Sequence, residues 1–232
     1  SATGISESKV NQYKGEAYFM LGFAYCELTA YYGDCVLNKG MTLDEAYVAT
    51  RSPKNEVLAY AFECLDKAAE YLPNSYKGQQ RPTKGAALGF KARFALFHED
   101  WQTAVDAAQK CMDLGVYKLH DNYREIFQAT SSPEFMFYFK GDLTLKKGYG
   151  FMENVRDFVI RKIGGHCNQS PSLELFCSYT CTDGLPIDKS PLYNPKDPFA
   201  NRDPRLAMTI QPFKTKYSAD YAEYEQSKKD GT

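Results

Sequence analysis

The side chains that could carry out acid–base or nucleophilic catalysis are scattered along this sequence and match no catalytic motif. The chain has three histidines: His98, His120 and His166. Neither a GxSxG-type nucleophile elbow nor the glycine spacing of a phosphate-binding loop accompanies them. Asp66 and Glu70 share a face of a predicted helix, but glycoside hydrolysis needs two carboxylates that face one pocket, which helical spacing does not establish. The sequence therefore predicts no catalytic residues.

Cysteines are the other residues with possible chemistry, as metal ligands or as disulfides. The chain contains seven: Cys26, Cys35, Cys64, Cys111, Cys167, Cys177 and Cys181. Their odd number and the lack of a CxxC pair predict free thiols. His166 with Cys167, and Cys177 with Cys181, are the only candidate ligands, and a zinc site would need a second close pair or more histidines. We therefore expect no metal and no cofactor.

The composition is that of a globular chain that can bury a core. Its 232 residues are 44% hydrophobic and 25% charged, and the net charge of −1 argues against a nucleic-acid partner. The chain has 18 Tyr and 15 Phe, which predicts packing for most rings and leaves ligand stacking open for others. Charges such as Glu27 and Lys91 interrupt every long apolar run, so no segment is expected to span a bilayer.

Apolar periodicity predicts helices through the first half of the chain. The first helix ends at Gly33-Asp34, and its predicted apolar stripe consists of Ala17, Leu21, Ala24, Leu28 and Tyr31. The second helix is predicted to begin after Ser52 as its N-cap, with Pro53 in the first turn, and to stop at Pro73. Its stripe consists of Leu58, Ala61, Leu65, Ala68 and Leu72.

These two helices also match the spacing of a tetratricopeptide repeat, with an insert of roughly residues 35 to 52 between them. The matching positions are Leu21, Gly22, Tyr25, Ala61, Leu65, Ala68 and Pro73. The pattern recurs at Leu88, Gly89, Ala92, Ala104, Ala108 and Cys111, with Asp100 as an N-cap. Stacked helix pairs are expected, because neither pair buries its apolar face alone.

The pattern changes in the second half. Glu134–Lys140 (EFMFYFK) alternates in the manner of a β-strand, and residues 189–205 carry the Pro and Asp residues of ordered irregular structure. The sequence therefore predicts a tetratricopeptide-like helical region over residues 1–128. An irregular, loop-rich and partly β region over residues 129–232 is predicted to pack on it within one domain.

Five segments, in this order, point to a family. They are EAYFMLGFAYCELTAYYGD (16–34), RSPKNEVLAYAFECLDKAAEYLP (51–73), RPTKGAALGFKARFALF (81–97), PSLELFCSYTCTDGLPID (171–188) and NRDPRL (201–206). Together they resemble the SusD/RagB family, the surface glycan-binding lipoproteins of Bacteroidetes, over about residues 5 to 210.

The resemblance implies a mainly α fold, an α-α superhelix of stacked tetratricopeptide-like helix pairs with a loop-rich second half. It also implies a lipid-anchored protein that faces outward from the outer membrane, binds oligosaccharides without cleaving them, and delivers them to a SusC-like TonB-dependent transporter. The chain shows no lipoprotein signal at its start and stops soon after NRDPRL, where family members usually continue. We therefore expect it to be a fragment.

Sugars stack C–H faces on aromatic rings and pair hydroxyls with amide, carboxylate and guanidinium groups. On that local character, we predict ligand contacts in the loop before PSLELF: Tyr149, Phe151, Asn154, Arg156 and Asn168. The NRDPRL motif is predicted to be a structural clasp rather than a ligand contact, because proline forces an extended backbone before it and arginines bind carboxylates or carbonyls. Its residues are Asn201, Arg202, Asp203, Pro204 and Arg205.

Two other classes of protein share parts of this pattern. An intracellular tetratricopeptide scaffold would hold a protein or peptide partner in a concave groove lined by regular, adjacent repeats. The insert after Cys35 and the irregular second half disfavour it. A carbohydrate-active enzyme would require paired carboxylates and measurable turnover.

Overall fold

The structure is a computed structural model that describes residues 4–76, 81–138, 157–158 and 165–212. Within these ranges the chain forms seven α-helices and one 3-10 helix of defined bounds, and it contains no β-strand beyond two isolated β-bridges. The predicted mainly α fold class is therefore confirmed. None of the helices in these ranges is both long enough and apolar enough to cross a membrane.

The helices are numbered in chain order. They are α1 (Glu7–Tyr32), α2 (Leu43–Val48), α3 (Lys54–Tyr71), α4 (Lys84–Phe97), α5 (Trp101–Asp113), α6 (Leu173–Ser178) and α7 (Pro204–Thr209), with a 3-10 helix at Glu125–Phe127. Helix α1 packs on α3, α3 packs on α4, and α4 packs on α5.

The described residues fall into two compact units. The first unit comprises residues 4–76, 81–120 and 131–138, and it contains helices α1 to α5. The second comprises residues 121–130, 157–158 and 165–212, and it contains the 3-10 helix, α6 and α7.

Helix α1 begins at a capped turn and ends at a glycine. The Ser6 hydroxyl accepts a hydrogen bond from a backbone N–H of the first turn, and Gly33 ends the helix with a φ of 68°. The apolar stripe predicted for this helix is wrong, because Ala17, Leu28 and Tyr31 are exposed. The buried residues are instead Gly15, Phe19, Gly22, Tyr25, Cys26 and Thr29.

The close approach of α1 to α3 explains this difference. A Cβ atom added at Gly22 would lie 2.8 Å from Cγ of Leu65 and 2.9 Å from the carbonyl oxygen of Ala61. The glycine at position 22 therefore lets α1 approach α3 closely, because a side chain there would meet Leu65 and the backbone of Ala61.

The predictions for α3 are confirmed for its core and wrong for its start. All five residues of the predicted stripe are buried: Leu58, Ala61, Leu65, Ala68 and Leu72. The N-cap is Pro53 rather than Ser52. Proline has no side-chain acceptor, so the carboxylate of Asp34 accepts a hydrogen bond from the backbone N–H of Lys54 at 2.8 Å.

Helices α4 and α5 form the second pair of long helices in the first unit. The hydroxyl of Thr83 caps α4, and the carboxylate of Asp100 caps α5 by accepting from the backbone N–H of Thr103 at 3.2 Å. The Asp100 cap was expected from the sequence. Past the end of α5, Gly115 has a φ of 62°, a conformation that favours glycine at helix ends.

Phenylalanines from separate segments meet in the core of the first unit. Phe19 of α1 contacts Phe90 of α4 edge-on, with ring centroids 5.6 Å apart. Phe137 contacts Phe19 in the same manner at 5.2 Å. Such edge contacts add about 0.5–1.5 kcal/mol to the burial of the rings. The segment that carries Phe137 is thereby fixed to the helices.

That segment is not the predicted β-strand. Of Glu134–Lys140, residues 134–138 form a turn followed by irregular backbone, and residues 139–140 lie outside the described part of the chain. A strand needs a partner for its backbone groups. Here the backbone N–H of Phe135 donates instead to the carbonyl of Ser132 at 3.2 Å, and Phe137 points into the aromatic core.

The second unit combines short helices with irregular chain. The Ser172 hydroxyl caps α6 by accepting from a backbone N–H at 3.1 Å. An isolated antiparallel bridge joins Cys181 to Arg202, and next to it the backbone N–H of Thr182 donates to the carbonyl of Asn201 at 2.9 Å. These bonds hold the residues before α7 against the turn that follows α6.

Candidate functional site

Most of the predicted ligand-binding loop lies beyond the residues that the structure describes. Four of its five residues lie outside the described part of the chain: Tyr149, Phe151, Asn154 and Arg156. The fifth, Asn168, is exposed, and its amide nitrogen donates to Oδ1 of Asp157 at 2.9 Å. The backbone N–H of Gln169 donates to the carbonyl of the same aspartate at 3.0 Å. The role of this loop in binding stays a prediction.

Arg202 of the NRDPRL motif has a buried side chain with several partners. Its Nη1 donates to the carbonyl of Pro198 at 3.0 Å, and its Nη2 donates to the carbonyls of Phe176 and Tyr179 at 2.8 and 2.9 Å. The guanidinium also lies 4.9 Å from the ring centre of Phe176 and 5.6 Å from that of Tyr193. One planar cation thus connects the C-terminal end of α6 to the backbone at Pro198.

The remaining residues of the motif have local roles. Asn201 has a φ of 56°, which asparagine tolerates better than most residues, and its amide donates to the carbonyl of Leu192 at 3.1 Å. Asp203 accepts hydrogen bonds from the Nε of Arg205 at 3.0 Å and from its backbone N–H at 2.9 Å, and these bonds hold the pKa of Asp203 below its ordinary value. Pro204 is the first residue of α7. The contacts of the motif are therefore intramolecular.

A pocket of about 430 Å³ opens in the first unit between residues 74–76 and 81–83, residues 116–117 after α5, and residues 131–138. Aromatic rings form much of its wall: Tyr76, Tyr117, Phe135, Phe137 and Tyr138. The rings of Phe135 and Tyr138 are 5.0 Å apart and inclined at 55°. We call this site the aromatic pocket.

Close packing against α4 holds one wall of the aromatic pocket. A Cβ atom at Gly85 would lie 2.1 Å from the ring of Tyr117, so this ring needs the glycine to reach its place. The hydroxyls of Tyr117 and Thr83 lie within hydrogen-bond distance at 2.8 Å. Burial raises the pKa of Tyr117, which keeps the phenol neutral and able to donate.

The same pocket also has polar groups. Asn74, Ser75 and Ser131 line it with amide and hydroxyl groups, and all three are exposed. Arg81 lines it as well, and its Nη1 contacts Oε1 of Glu16 at 2.8 Å. A mixture of ring faces and neutral polar groups is what a pocket for an uncharged polar ligand requires.

The aromatic pocket is not among the sites predicted from the sequence. Its walls come from three segments of the chain. Helices α4 and α5 separate the first from the second, and the 3-10 helix lies between the second and the third, so the fold is needed to bring them together. The available signal was the run of aromatic residues at 135–138, which was interpreted as a strand. The nearby Tyr76 and Tyr117, each placed just beyond the end of a helix, were a second signal.

Other chemistry in the described residues is limited. No group of three or more His, Cys, Asp or Glu side chains there is placed to hold a metal ion. The seven cysteines are free thiols. The carboxylate of Asp66, which shares a helix face with Glu70, contacts Nζ of Lys91 through both oxygens at 2.7 Å. It is engaged in an ion pair rather than with a second carboxylate.

Comparisons with known proteins give a consistent result. A SusD-like family described as "Starch-binding associating with outer membrane" matches residues 2–96. SusD-like protein P2 of Formosa agariphila is 27% identical over 154 residues, which are 62% of this chain and 30% of that protein. The crystal structure of a SusD-like carbohydrate-binding protein from Bacteroides fragilis matches with a TM-score of 0.71 and 26% identity, over 88% of this chain and 41% of that one.

A second SusD-like protein from Bacteroides fragilis matches with a TM-score of 0.68 and 25% identity, over 89% of this chain and 44% of that one. The recognition made from the sequence is confirmed: the chain matches a SusD-like family over residues 2–96, and the relatives named here are SusD-like proteins. The chain spans less than half the length of each of these relatives.

Proposed function

We propose that this chain is part of a surface protein that binds oligosaccharides at the outer membrane and does not cleave them. The observation that carries the proposal is the match of 88% of the chain to a SusD-like carbohydrate-binding protein. The family description, which names starch binding and association with the outer membrane, supports the same ligand class and location. In this proposal the full-length protein is a lipid-anchored, outward-facing lipoprotein.

The proposal includes an architecture of stacked tetratricopeptide-like helix pairs over residues 1–128 and a loop-rich region over residues 129–232. The packing of α1 on α3 and of α4 on α5 supports the pairs. The close approach at Gly22, a position that matches the repeat pattern, supports them further. Such helices would form a rigid support from which loops present ligand-binding groups.

The ligand contacts proposed for the second half are those of the loop that ends at Asn168, with Tyr149 and Phe151 as stacking rings. The NRDPRL motif is proposed to act as a clasp, and its support is the bonding of Arg202 to three backbone carbonyls. Neither catalysis nor a cofactor is part of this function. The ion pair of Asp66 with Lys91 agrees with a carboxylate that has no catalytic role.

We further propose that the bound oligosaccharide is delivered to a SusC-like TonB-dependent transporter. Its test is co-purification: an affinity-tagged full-length protein should retain a TonB-dependent transporter when outer membranes are solubilised in mild detergent. Recovery of the tagged protein without any such transporter would contradict this part of the proposal and leave saccharide binding unaffected.

Binding itself is tested by native gel electrophoresis through starch and through other plant, host and storage polysaccharides. The chain should be retarded in at least one gel, and the double variant Tyr149→Ala/Phe151→Ala should migrate faster there. Tyr47→Ala is the matched control, since Tyr47 lies on α2 and is 80% exposed. Chromatography of the incubated saccharide should reveal no products.

Three results would refute the proposal. Release of shorter sugars would identify an enzyme. If the chain bound a peptide from a peptide library and no polysaccharide retarded it, it would be identified as a tetratricopeptide scaffold. Equal retardation of the wild-type chain and the double variant would place the contacts outside the predicted loop.

A further inference from the structure

The aromatic pocket has the volume and the mixed lining that ligand pockets usually have. Ligand pockets usually occupy about 300–1,000 Å³, and this one has about 430 Å³. Its described lining residues all belong to the first unit and come from residues 74–76, 81–83, 116–117 and 131–138. Its lining residues are different from those predicted in the loop that ends at Asn168.

The rings of the aromatic pocket are suited to stacking rather than to core packing. Tyr138 is 37% exposed, and its ring meets that of Phe135 at 55°, which gives the pocket an angled aromatic surface. Phe137, by contrast, packs into the phenylalanine core against Phe19. Phe137 thus fixes the segment to the core, while Phe135 and Tyr138 line the pocket.

A buried hydroxyl in the wall indicates which polar partner the pocket would accept. The hydroxyl oxygen of Tyr76 is buried and has no hydrogen-bond partner in the described part of the chain. An unsatisfied hydroxyl is unfavourable in a protein interior. A ligand hydroxyl or a small adjustment of the ring would supply the missing bond. Asn74 and Ser75, immediately before it in the chain, present further donors and acceptors.

The charged groups of the pocket favour a neutral ligand over an anionic one. Among the described lining residues Arg81 carries the only charge, and Glu16 neutralises it at 2.8 Å. Gln12 also donates to the Oε1 atom of Glu16 at 2.8 Å, which fixes the carboxylate in this position. An anionic ligand would have to compete with Glu16 for the guanidinium, whereas a neutral ligand would not.

We infer that the aromatic pocket binds one or two rings of a neutral oligosaccharide, as a second saccharide site on the helical unit. The inference rests on the proposed function, since it assigns a further subsite to a saccharide-binding protein. In this arrangement Tyr138 and Phe135 stack on the sugar C–H face. The Tyr76 hydroxyl and the Asn74 amide bond to its hydroxyls.

The test is isothermal titration calorimetry of the 232-residue chain with maltoheptaose, laminarihexaose, xylohexaose and cellohexaose, and with oligogalacturonate as the anionic counterpart. Tyr138→Ala should raise the Kd of the neutral oligosaccharide that binds most tightly by about two- to tenfold. Tyr76→Phe, which removes one hydroxyl, should raise it by about two- to tenfold. The control Tyr47→Ala should leave the Kd unchanged.

Hydroxyl-radical footprinting of the wild-type chain gives an answer that does not depend on variants that may misfold. The bound oligosaccharide should protect Tyr138 and Phe135 from labelling and should leave Tyr47 unprotected.

The outcomes separate this inference from the proposed function. Unchanged affinity in both pocket variants, with binding lost in Tyr149→Ala/Phe151→Ala, would overturn the pocket and leave the proposed function standing. Absence of binding to every saccharide by the wild-type chain would overturn both. Tighter binding of oligogalacturonate than of any neutral probe would overturn the assignment of a neutral ligand.

Discussion

Substitution of Arg202 by lysine tests the structural role of the NRDPRL motif. Lysine keeps the positive charge but presents a single ammonium group in place of the planar guanidinium. Arg202 is only 5% exposed and donates hydrogen bonds to the carbonyls of Pro198, Phe176 and Tyr179. An ammonium at the same position reaches one of these carbonyls well and leaves the others without their donor.

The magnitude follows from the number of bonds lost. A hydrogen bond to a charged group contributes about 1.5–3 kcal/mol net, so the loss of two predicts a decrease of about 3–6 kcal/mol in the free energy of unfolding of the second unit. The stacking of the guanidinium on the ring of Phe176, at 4.9 Å, is also weakened. Arg205→Lys is the matched control, because its side chain is 61% exposed and it pairs only with Asp203 among the described residues.

Urea denaturation and amide hydrogen exchange provide the measurements. Two backbone hydrogen bonds flank Arg202: the N–H of Thr182 donates to the carbonyl of Asn201, and the N–H of Asp203 donates to the carbonyl of Thr180. Both amides should lose protection from exchange in Arg202→Lys but not in Arg205→Lys. If both variants unfold at the same urea concentration and protect these amides equally, the clasp interpretation is wrong.

Three further predictions concern the first unit and the thiols. Gly22→Ala should lower the free energy of unfolding by about 1–3 kcal/mol in urea melts, because the new methyl group would lie 2.8 Å from Leu65 Cγ; unchanged stability would contradict the close contact. Burial lowers the pKa of His98, so the unfolded chain binds its proton more readily, and stability should fall as pH drops below about 6.5. His98→Gln should reduce that pH dependence, and an unaltered dependence would exclude His98 as its source. Burial raises the pKa of Cys26 to about 12, so iodoacetamide at pH 8 should alkylate exposed Cys167 first, and equal modification of both by mass spectrometry would contradict the burial.

The sequence predicted the helices well and their contact faces unevenly. On α3 the residues that make the contact are themselves apolar, so periodicity identified Leu65 and its neighbours correctly. On α1 the contact is made where side chains are smallest, at Gly15 and Gly22. A stripe defined by apolar side chains does not count glycine. The stripe predicted for α1 therefore lies on the wrong face and includes Tyr31, which is 78% exposed.

The error over residues 134–138 has a similar origin. Alternation of aromatic residues is a local property, whereas a strand depends on a partner elsewhere in the chain. Phe137 is partly buried because α1 and α4 already provide an aromatic surface for it, not because a sheet forms. The aromatic pocket was missed for the same reason, since its three segments come together only in the folded unit.

Phenylalanine and tyrosine rings have different requirements when they are buried, and this difference bears on where a ligand can bind. Phenylalanines such as Phe19 fill the interior, where a ring without polar atoms loses no hydrogen bond. A buried tyrosine needs a partner, as Tyr25 has in the backbone of Asn38, with its hydroxyl accepting from the N–H at 2.8 Å. Tyrosines without such a partner stay at the surface, as Tyr47 does. Tyr76 departs from this pattern, because its hydroxyl is buried beside a pocket without a bond in the described part of the chain. A buried hydroxyl without a hydrogen-bond partner is what we expect at a site that binds a hydroxylated ligand.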